Sequence, residues 1–496
     1  MDGFWHKAWQ FALLFAVISL LAASIVIQGQ SVSANDVRAI VAEGGSGGLA
    51  GVETWPRDLS VRPELTPVAD LASAPSGEQH LSIAPSVPPP IARSDQRIWD
   101  VHVESIEGVC PLDPANGITT DMWGFRIAGE DDVTCGSPGP IFRGRVGDMV
   151  NITLTNLPTN THPHNIDFHA VTGQGGGAAD LTVNPGETAT IQVRLLYPGA
   201  FMYHCAFGDV PSHIAHGMVG MFIVDPEEPL PEVDHEWGIM QSEWYVGEAG
   251  VDGEAPYDPD AVFNEEPRFV TFNGRTDALT GDNSLKMNVG ERSRIYFVNE
   301  GLNLTSNFHA IGSHWDLVYP EAATHPSNRV IRGSQSTLVV AGGGTIVEID
   351  GLVPSTVILV DHALVRTFYK GAIGLLVVEG SADPEIFGVP GETPPPSSEA
   401  EGSGADATSG EDLFASTCAA CHGEGGVGID GLGPSMIGNV FVAGLGDDEL
   451  GEFIVVGRPA DHPDNESGIT MPPKGGNPAL DDDDISDIVA YLRELG

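Results

Sequence analysis

Cysteine is scarce in this chain, with five among 496 residues: Cys110, Cys135, Cys205, Cys418 and Cys421. So few, so scattered, exclude a disulfide-built scaffold. Cys110 and Cys135 can pair in an oxidising compartment or remain two buried thiols, and the sequence leaves both readings open. Lysine is scarcer still, at Lys7, Lys286, Lys370 and Lys474, and 22 basic residues face 69 acidic ones for a formal charge of −47. A chain this poor in cations is no nucleic-acid binder, because phosphate neutralisation supplies most of that affinity. The acidity favours solubility while opposing compaction by self-repulsion, which high external salt screens. Acidic runs such as Asp481 to Asp484 read as solvated surface.

One long stretch is largely apolar and free of charge, Trp9 to Ile27, with His6 and Lys7 before it and the small-x-small Val32-Ser33-Ala34 after it. At about 19 residues it is long for a cleaved signal and just adequate to span a bilayer. Export signal or membrane anchor, it puts the remainder outside the cytoplasm, in the periplasm or on the outer face of the cytoplasmic membrane.

The length suits about three domains. Residues 1–34 are the signal or anchor. Residues 35–94, ending near Pro88-Pro89-Pro90, have a composition that predicts a flexible tether. Short β-rich segments broken by Gly, Pro, Asn and Asp then predict two β domains, 95–228 and 229–379, built as sandwiches or barrels. Alternation through Val150-Asn151-Ile152-Thr153-Leu154 marks a half-buried strand, and the glycine-then-strand plan returns at Val289-Gly290-Glu291 as a weak internal repeat. A second linker, 380–408, contains Pro394-Pro395-Pro396. Residues 409–496 turn helical: Ser409 is a candidate cap, and Ile485, Ile488, Val489, Leu492 and Leu495 form an apolar stripe at helical spacing.

The chemistry concentrates in two segments. Neighbouring residues on a strand point to opposite faces, so His204 and Cys205 are suited to serve two different metals. One peptide unit then links the two, a covalent route on the order of ten Å given ~3.8 Å between adjacent Cα atoms. His164 and His169, five residues apart, divide in the same way. His164, Cys205, His213 and Met218 make two imidazoles, a thiolate and a thioether, the donor set of a blue-copper centre. Zinc is the weaker reading, since a thioether is a poor zinc ligand. His162 and His216 are spare and read as ordinary hydrogen-bonded histidines. CAACH, Cys418 to His422, satisfies the rule for covalent c-type haem, with His422 as one axial ligand.

HNIDFH, YHCA, the GMVG after the Cys-His-Met loop and VTFNGRTDALTGD together resemble the two-cupredoxin copper nitrite reductases of denitrification, over about Ile98 to Glu379. The resemblance implies two cupredoxin-like Greek-key β-sandwiches and a mainly β chain. It implies type 1 copper at His164, Cys205, His213 and Met218, and type 2 copper at His169, His204 and His362, the last reaching into a neighbouring subunit of a homotrimer. Asp167 and His309 match the family's active-site pair, able to donate protons to nitrite and hold its oxygens. Ile311 matches the apolar residue shaping the nitrite pocket, and His314 a more distant channel histidine. The Cys205 to His213 loop is one residue shorter than the family's commonest form, which bears on the geometry of the type 1 site. GEDLFAST and GEGG around CAACH resemble class I cytochromes c, a small all-α fold. Met471 in TMPPKGGNP then fits the second axial ligand, with Met436 as the alternative.

The function implied is reduction of nitrite to nitric oxide, with the fused haem passing electrons through type 1 copper. An external donor, a small redox protein or a quinol-linked cytochrome, would supply the haem. Two alternatives stand beside it. A laccase-like multicopper oxidase needs further histidines, but Ala206 occupies the place of a His-Cys-His triplet and the second domain has no pair of HxH motifs. A non-catalytic copper and haem carrier would not need Asp167, His169, His204, His309 and His362 together. Copper content separates the three: two per chain for the reductase, four for the oxidase, one for the carrier.

Overall fold

The computed structural model describes residues 62–130, 135–388, 407–429, 432–459, 462, 465, 469–477 and 480–495. The apolar stretch at Trp9 to Ile27, most of the second linker and the start of the tether lie outside the described residues.

Two β sandwiches follow one another. In the first, one sheet runs Ala72–Ser73, Arg97–Asp113, Met149–Asn156, Thr188–Arg194, with Ile118–Ile127 hairpinned onto Arg97–Asp113. The other runs Leu81–Ser82, Ile141–Arg145, Val219–Asp225, Gly199–His204, Asp167–Phe168. The alternation read at Val150 to Leu154 is real, since Ile152 and Leu154 are buried while Asn151 and Thr153 are half-buried. The second sandwich has a six-stranded sheet, Phe269–Phe272, His235–Trp244, Arg292–Asn299, Gly344–Asp350, Trp315–Tyr319, Ile331–Ser334. Facing it are Leu285–Asn288, Ile373–Glu379, Ser355–Asp361, Ser306–Ile311 and Ser336–Val339. The sandwiches share an apolar seam, where Met202, Val219 and Met221 of the first meet Met240, Tyr296 and Val298 of the second. Arg143 pairs with Asp225 of its own sandwich and crosses the seam to Glu236, so the buried guanidinium has an anion on each side. Cys110 and Cys135 form a disulfide, resolving the choice the sequence left open.

Glu300, two residues past Val298, is 1% exposed, and neither of its carboxylate oxygens receives a hydrogen bond among the described residues. Burial pushes its carboxyl well above its ordinary 4.5. A group raised in the fold stabilises it below the unfolded value and loses that contribution as pH rises through the folded value. Glu300→Gln, neutral at every pH, is therefore expected to gain thermal stability over the parent progressively from pH 5 to pH 9. Parallel melting-temperature curves for the two proteins would contradict this.

Two readings need correction. Residues 62–94 are not a flexible tether: Ala72–Ser73 and Leu81–Ser82 pair with strands of the first sandwich, Ser86 bridges Trp237 of the second, and His80 stacks on Trp99 at 3.9 Å. Arg93 adds a paired contact to Asp148. Edge pairing and ion pairs hold this arm without any apolar periodicity, so composition gave no sign of it. In the C-terminal domain Ser409 is no cap, because the Ala407–Thr417 helix already includes it. That domain is helical as expected, and Ile485, Ile488, Val489 and Leu492 of the Asp482–Glu494 helix bury against Phe414 and Leu450. The acidic run before it does more than solvate: Asp481 accepts the Asp484 N–H and Asp484 accepts the Asp481 N–H, a reciprocal helix cap.

Candidate metal and haem centres

The strand Gly199–His204 ends at the two informative residues, and they do point apart. Cys205 is fully buried in the first sandwich's core, whereas His204 opens toward the exposed His169. His164 and His169 also part company, though not across one regular strand. His164 sits in a bridge to Val183, and only Asp167–Phe168 between them is extended and paired, to His204 and Tyr203.

Around Cys205, His164 and His213 close a compact group. Cys205 Sγ lies 3.3 Å from His213 Nδ1 and 3.9 Å from His164 Nδ1. His213 comes from the short Val210–Ala215 helix, which closes the loop from Cys205. Met218 is fully buried in the same core, and its backbone bonds both partners: Cys205 N–H donates to Met218 O, and Met218 N–H to His213 O. Burial, with His164 and the spare histidines adding repulsion, lowers His213 to about 4, and burial lowers His164 too. Both imidazoles are thus held neutral, the form a metal takes. Without metal, burial raises the Cys205 thiol to about 11, so loading this site releases a proton.

Three residues that the motifs did not single out hold this group. His164 Nε2 donates to Glu107 at 2.9 Å, which leaves Nδ1 facing the sulfur. Burial alone would raise the Glu107 carboxyl, but bonds from Thr161 Oγ1, the Thr161 and His162 N–H groups and His164 hold it at about 2. Asn165 accepts the Ala206 N–H at 2.7 Å and a contact from Cys205 Sγ at 3.7 Å. Trp123 stacks on His216 at 4.0 Å and meets His213 edge-on at 5.0 Å, while His162 lies tilted on it at 4.3 Å. His216 Nδ1 donates to Ser212 O, so it is the ordinary hydrogen-bonded histidine expected. Glu107 stands 57 residues before His164 on another strand, so no spacing pattern signals it.

On the other face, Asp167, His169 and His204 gather their ligand atoms within 4.8 Å of one another. The two Nε2 atoms are 3.2 Å apart. Each ring is turned by its other nitrogen: His204 Nδ1 donates to Cys205 O at 3.0 Å, and His169 to Gly342 O. Burial, then the neighbouring His204, lowers His169. Gly176, at φ +55°, closes over Asp167, where a Cβ would come 1.9 Å from Oδ1.

His362 stands elsewhere in the chain, exposed, with its ring 5.1 Å from His309. His309 Nδ1 donates to Gln335 O, leaving Nε2 free to act. Ile311 is two residues along the same strand, Ser306–Ile311, and His314 is exposed in the turn after it. One chain therefore carries two half-sets, one with Asp167, His169 and His204, the other with His309, Ile311 and His362.

In the C-terminal domain, Cys418 and Cys421 lie on one turn and His422 Nδ1 donates to Pro434 O at 2.9 Å, presenting Nε2 as an iron ligand would. The loop after Met471 reaches this turn: a Cβ on Gly475 would lie 3.8 Å from Cys418 Sγ, and Asn477 Nδ2 donates to Thr417 Oγ1. Met471 is half-buried beside it, whereas Met436 is buried in the helical core, which favours Met471 as the second ligand.

The donor sets fit their groups: a neutral His2Cys set with methionine suits a blue-copper ion, paired imidazoles beside a carboxylate suit a catalytic ion, and CxxCH suits haem c. Residues 111–228 match the multicopper oxidase family, and residues 405–492 match the cytochrome c oxidase, cbb3-type, subunit III family. A solved copper nitrite reductase from Nitrosomonas europaea aligns with 33% identity and a TM-score of 0.50, over 58% of this chain and 96% of that one. The copper-containing nitrite reductase of Cereibacter sphaeroides is 31% identical over 367 residues, 68% of this chain and 91% of the relative. That of Neisseria meningitidis is 44% identical over 305 residues, 61% of this chain and 75% of the relative. With donors for copper in its β sandwiches and for haem c in its helical domain, the chain belongs to the copper-containing nitrite reductases, as a copper- and haem-c-dependent oxidoreductase.

Proposed function

We propose that this enzyme reduces nitrite to nitric oxide, taking one electron and two protons and releasing water, with the fused haem domain as the immediate electron donor. The observation that carries the reading is the adjacency of His204 and Cys205, each a member of a different donor group. When bound, copper supplies one-electron chemistry at His164, Cys205, His213 and Met218 and Lewis acidity at His169, His204 and His362, while haem c at Cys418, Cys421, His422 and Met471 supplies one-electron storage.

The chain's own residues do the rest. Asp167 and His309 hold the nitrite oxygens and donate the two protons, and Ile311 limits the pocket to a small anion. The peptide between Cys205 and His204 is the shortest covalent link between the donor sets. Covalent tethering keeps the haem domain at a raised effective concentration near the type 1 donor set.

The separation of the two half-sets supports a homotrimer in which His362, His309 and Ile311 of one subunit complete the Asp167, His169 and His204 group of the next. The helix after His362, Leu364–Lys370, exposes Leu364, Val365, Phe368 and Tyr369, an apolar face suited to such a contact. Among the described residues no helix is long and apolar enough to cross a membrane, so anchoring and the extracytoplasmic placement rest on Trp9 to Ile27.

The test is nitric oxide release from nitrite by the reduced, copper-loaded protein without oxygen, beside His169→Ala. Release by the parent and its loss in the variant, with the type 1 absorption kept, is the expected result. Absence of nitric oxide from a parent holding two coppers and haem would reject the reading.

A further inference from the structure

His362 faces a difficulty that the other histidines of the candidate sites do not. It is exposed, follows the strand Ser355–Asp361 and precedes a seven-residue helix, and its ring makes no hydrogen bond among the described residues. A metal ligand has to be held within roughly 0.5 Å and 10–20° of its working geometry. Something else in the chain has to do that.

We propose that Asp361 and Arg366 form a latch that fixes His362 against the His309 strand, making them positioning residues for the type 2 centre. This rests on the assignment of His362 as a type 2 ligand. Asp361 is fully buried and ties both sides of the turn: Oδ1 accepts the Ala363 N–H and the Asn307 N–H, each at 3.2 Å. Its other oxygen accepts Arg366 Nη1 at 2.5 Å, and the same nitrogen donates to Thr305 O at 2.8 Å. The His362 N–H donates to Asn307 O at 2.9 Å, and Thr367 Oγ1 closes back onto Asp361 O.

Every one of these bonds joins the His362 turn either to itself or to residues 305–307, which lead into the Ser306–Ile311 strand carrying His309. That strand's approach is anchored further back, where the buried Glu243 accepts the Asn303 and Leu304 N–H groups. Arg366 thus bridges the two segments whose imidazoles stand 5.1 Å apart. The contact is charge-assisted and its carboxylate is removed from water, which makes it short and directional. A lysine, a strongly hydrated point charge on a flexible stem, holds the Asp361 and Thr305 oxygens less firmly than this planar, pre-organised group.

The experiment uses the full-length holoprotein with Arg366→Met, Arg366→Lys and His362→Ala beside the parent. Type 2 copper is followed by its electron paramagnetic resonance signal during competition with a chelator, and the type 1 absorption and haem spectrum report on folding. Arg366→Met is expected to hold type 2 copper about 10- to 100-fold more weakly, with altered hyperfine splitting and with type 1 copper and haem unchanged. Arg366→Lys should fall between it and the parent. Type 2 affinity and splitting in Arg366→Met equal to the parent's would overturn the latch, as would parallel loss of type 1 and type 2 copper, which marks a general structural role. His362→Ala separates this from the reading beneath it. If that variant keeps its type 2 copper, the ligand assignment fails; if it loses the metal while Arg366→Met does not, only the latch fails.

Discussion

Asp167→Asn is expected to slow nitrite turnover by about 10²–10⁴-fold, the usual worth of a positioned proton donor, while both coppers and the haem remain bound. The carboxylate sits within 4.8 Å of the His169 and His204 ligand atoms yet belongs to a strand residue whose backbone is fixed by pairing with His204. Asparagine keeps that backbone and most of the side-chain shape but has no proton to give. The loss should therefore fall mainly on kcat rather than on metal content. Gly176→Ala offers a second approach to the same group, since its methyl would displace Asp167 without removing the carboxyl. Turnover by Asp167→Asn within a factor of two or three of the parent would mean that the proton assigned to Asp167 arrives by another route.

The second large effect is expected at Glu107. Its carboxylate, held at about 2 by four donors, takes the Nε2 hydrogen of His164 and gives that imidazole anionic character toward the metal. A more electron-rich ligand favours the oxidised ion. Glu107→Gln removes the charge but keeps the shape, so the type 1 potential should rise, by about 65–130 mV if a charged hydrogen bond of roughly 1.5–3 kcal/mol is felt in full at the copper. Potentiometric titration of the type 1 absorption reads this directly. Glu107→Ala, which also leaves His162 and Thr161 without their acceptor, should bind type 1 copper about 10- to 100-fold more weakly. An unshifted potential in Glu107→Gln would show that the bond only orients the ring.

Much of the candidate site was legible in the residues. Strand alternation requires that His204 and Cys205 face apart, and the thiolate, thioether and imidazole types select copper without any need of three-dimensional detail. CxxCH is equally local, because both thiols and the iron ligand lie on one helical turn. The apolar stripe of the last helix follows the same logic, a period written in five residues. Local rules failed where contacts were polar and distant. The arm at residues 62–94 has a tether's composition, yet edge pairing with strands far along the chain and the Arg93 to Asp148 contact order it. Ser409 read as a candidate cap yet lies within the Ala407–Thr417 helix, whereas the Asp481 to Asp484 run that composition assigned to solvent caps the last helix.

The sequence by itself thus determined which atoms can hold copper and haem, and that the two copper donor groups meet at one peptide bond. Donor chemistry belongs to residue type and facing belongs to strand period, and neither depends on the rest of the fold. Tertiary structure alone decided which nitrogen each imidazole presents, through acceptors as remote as Glu107, Gly342, Gln335 and Pro434. It also decided that His362 and His309 stand apart from Asp167, His169 and His204, and that Asp361 and Arg366 brace them. Those facts depend on how distant strands come to lie side by side, which the whole of the buried core settles and no short motif encodes.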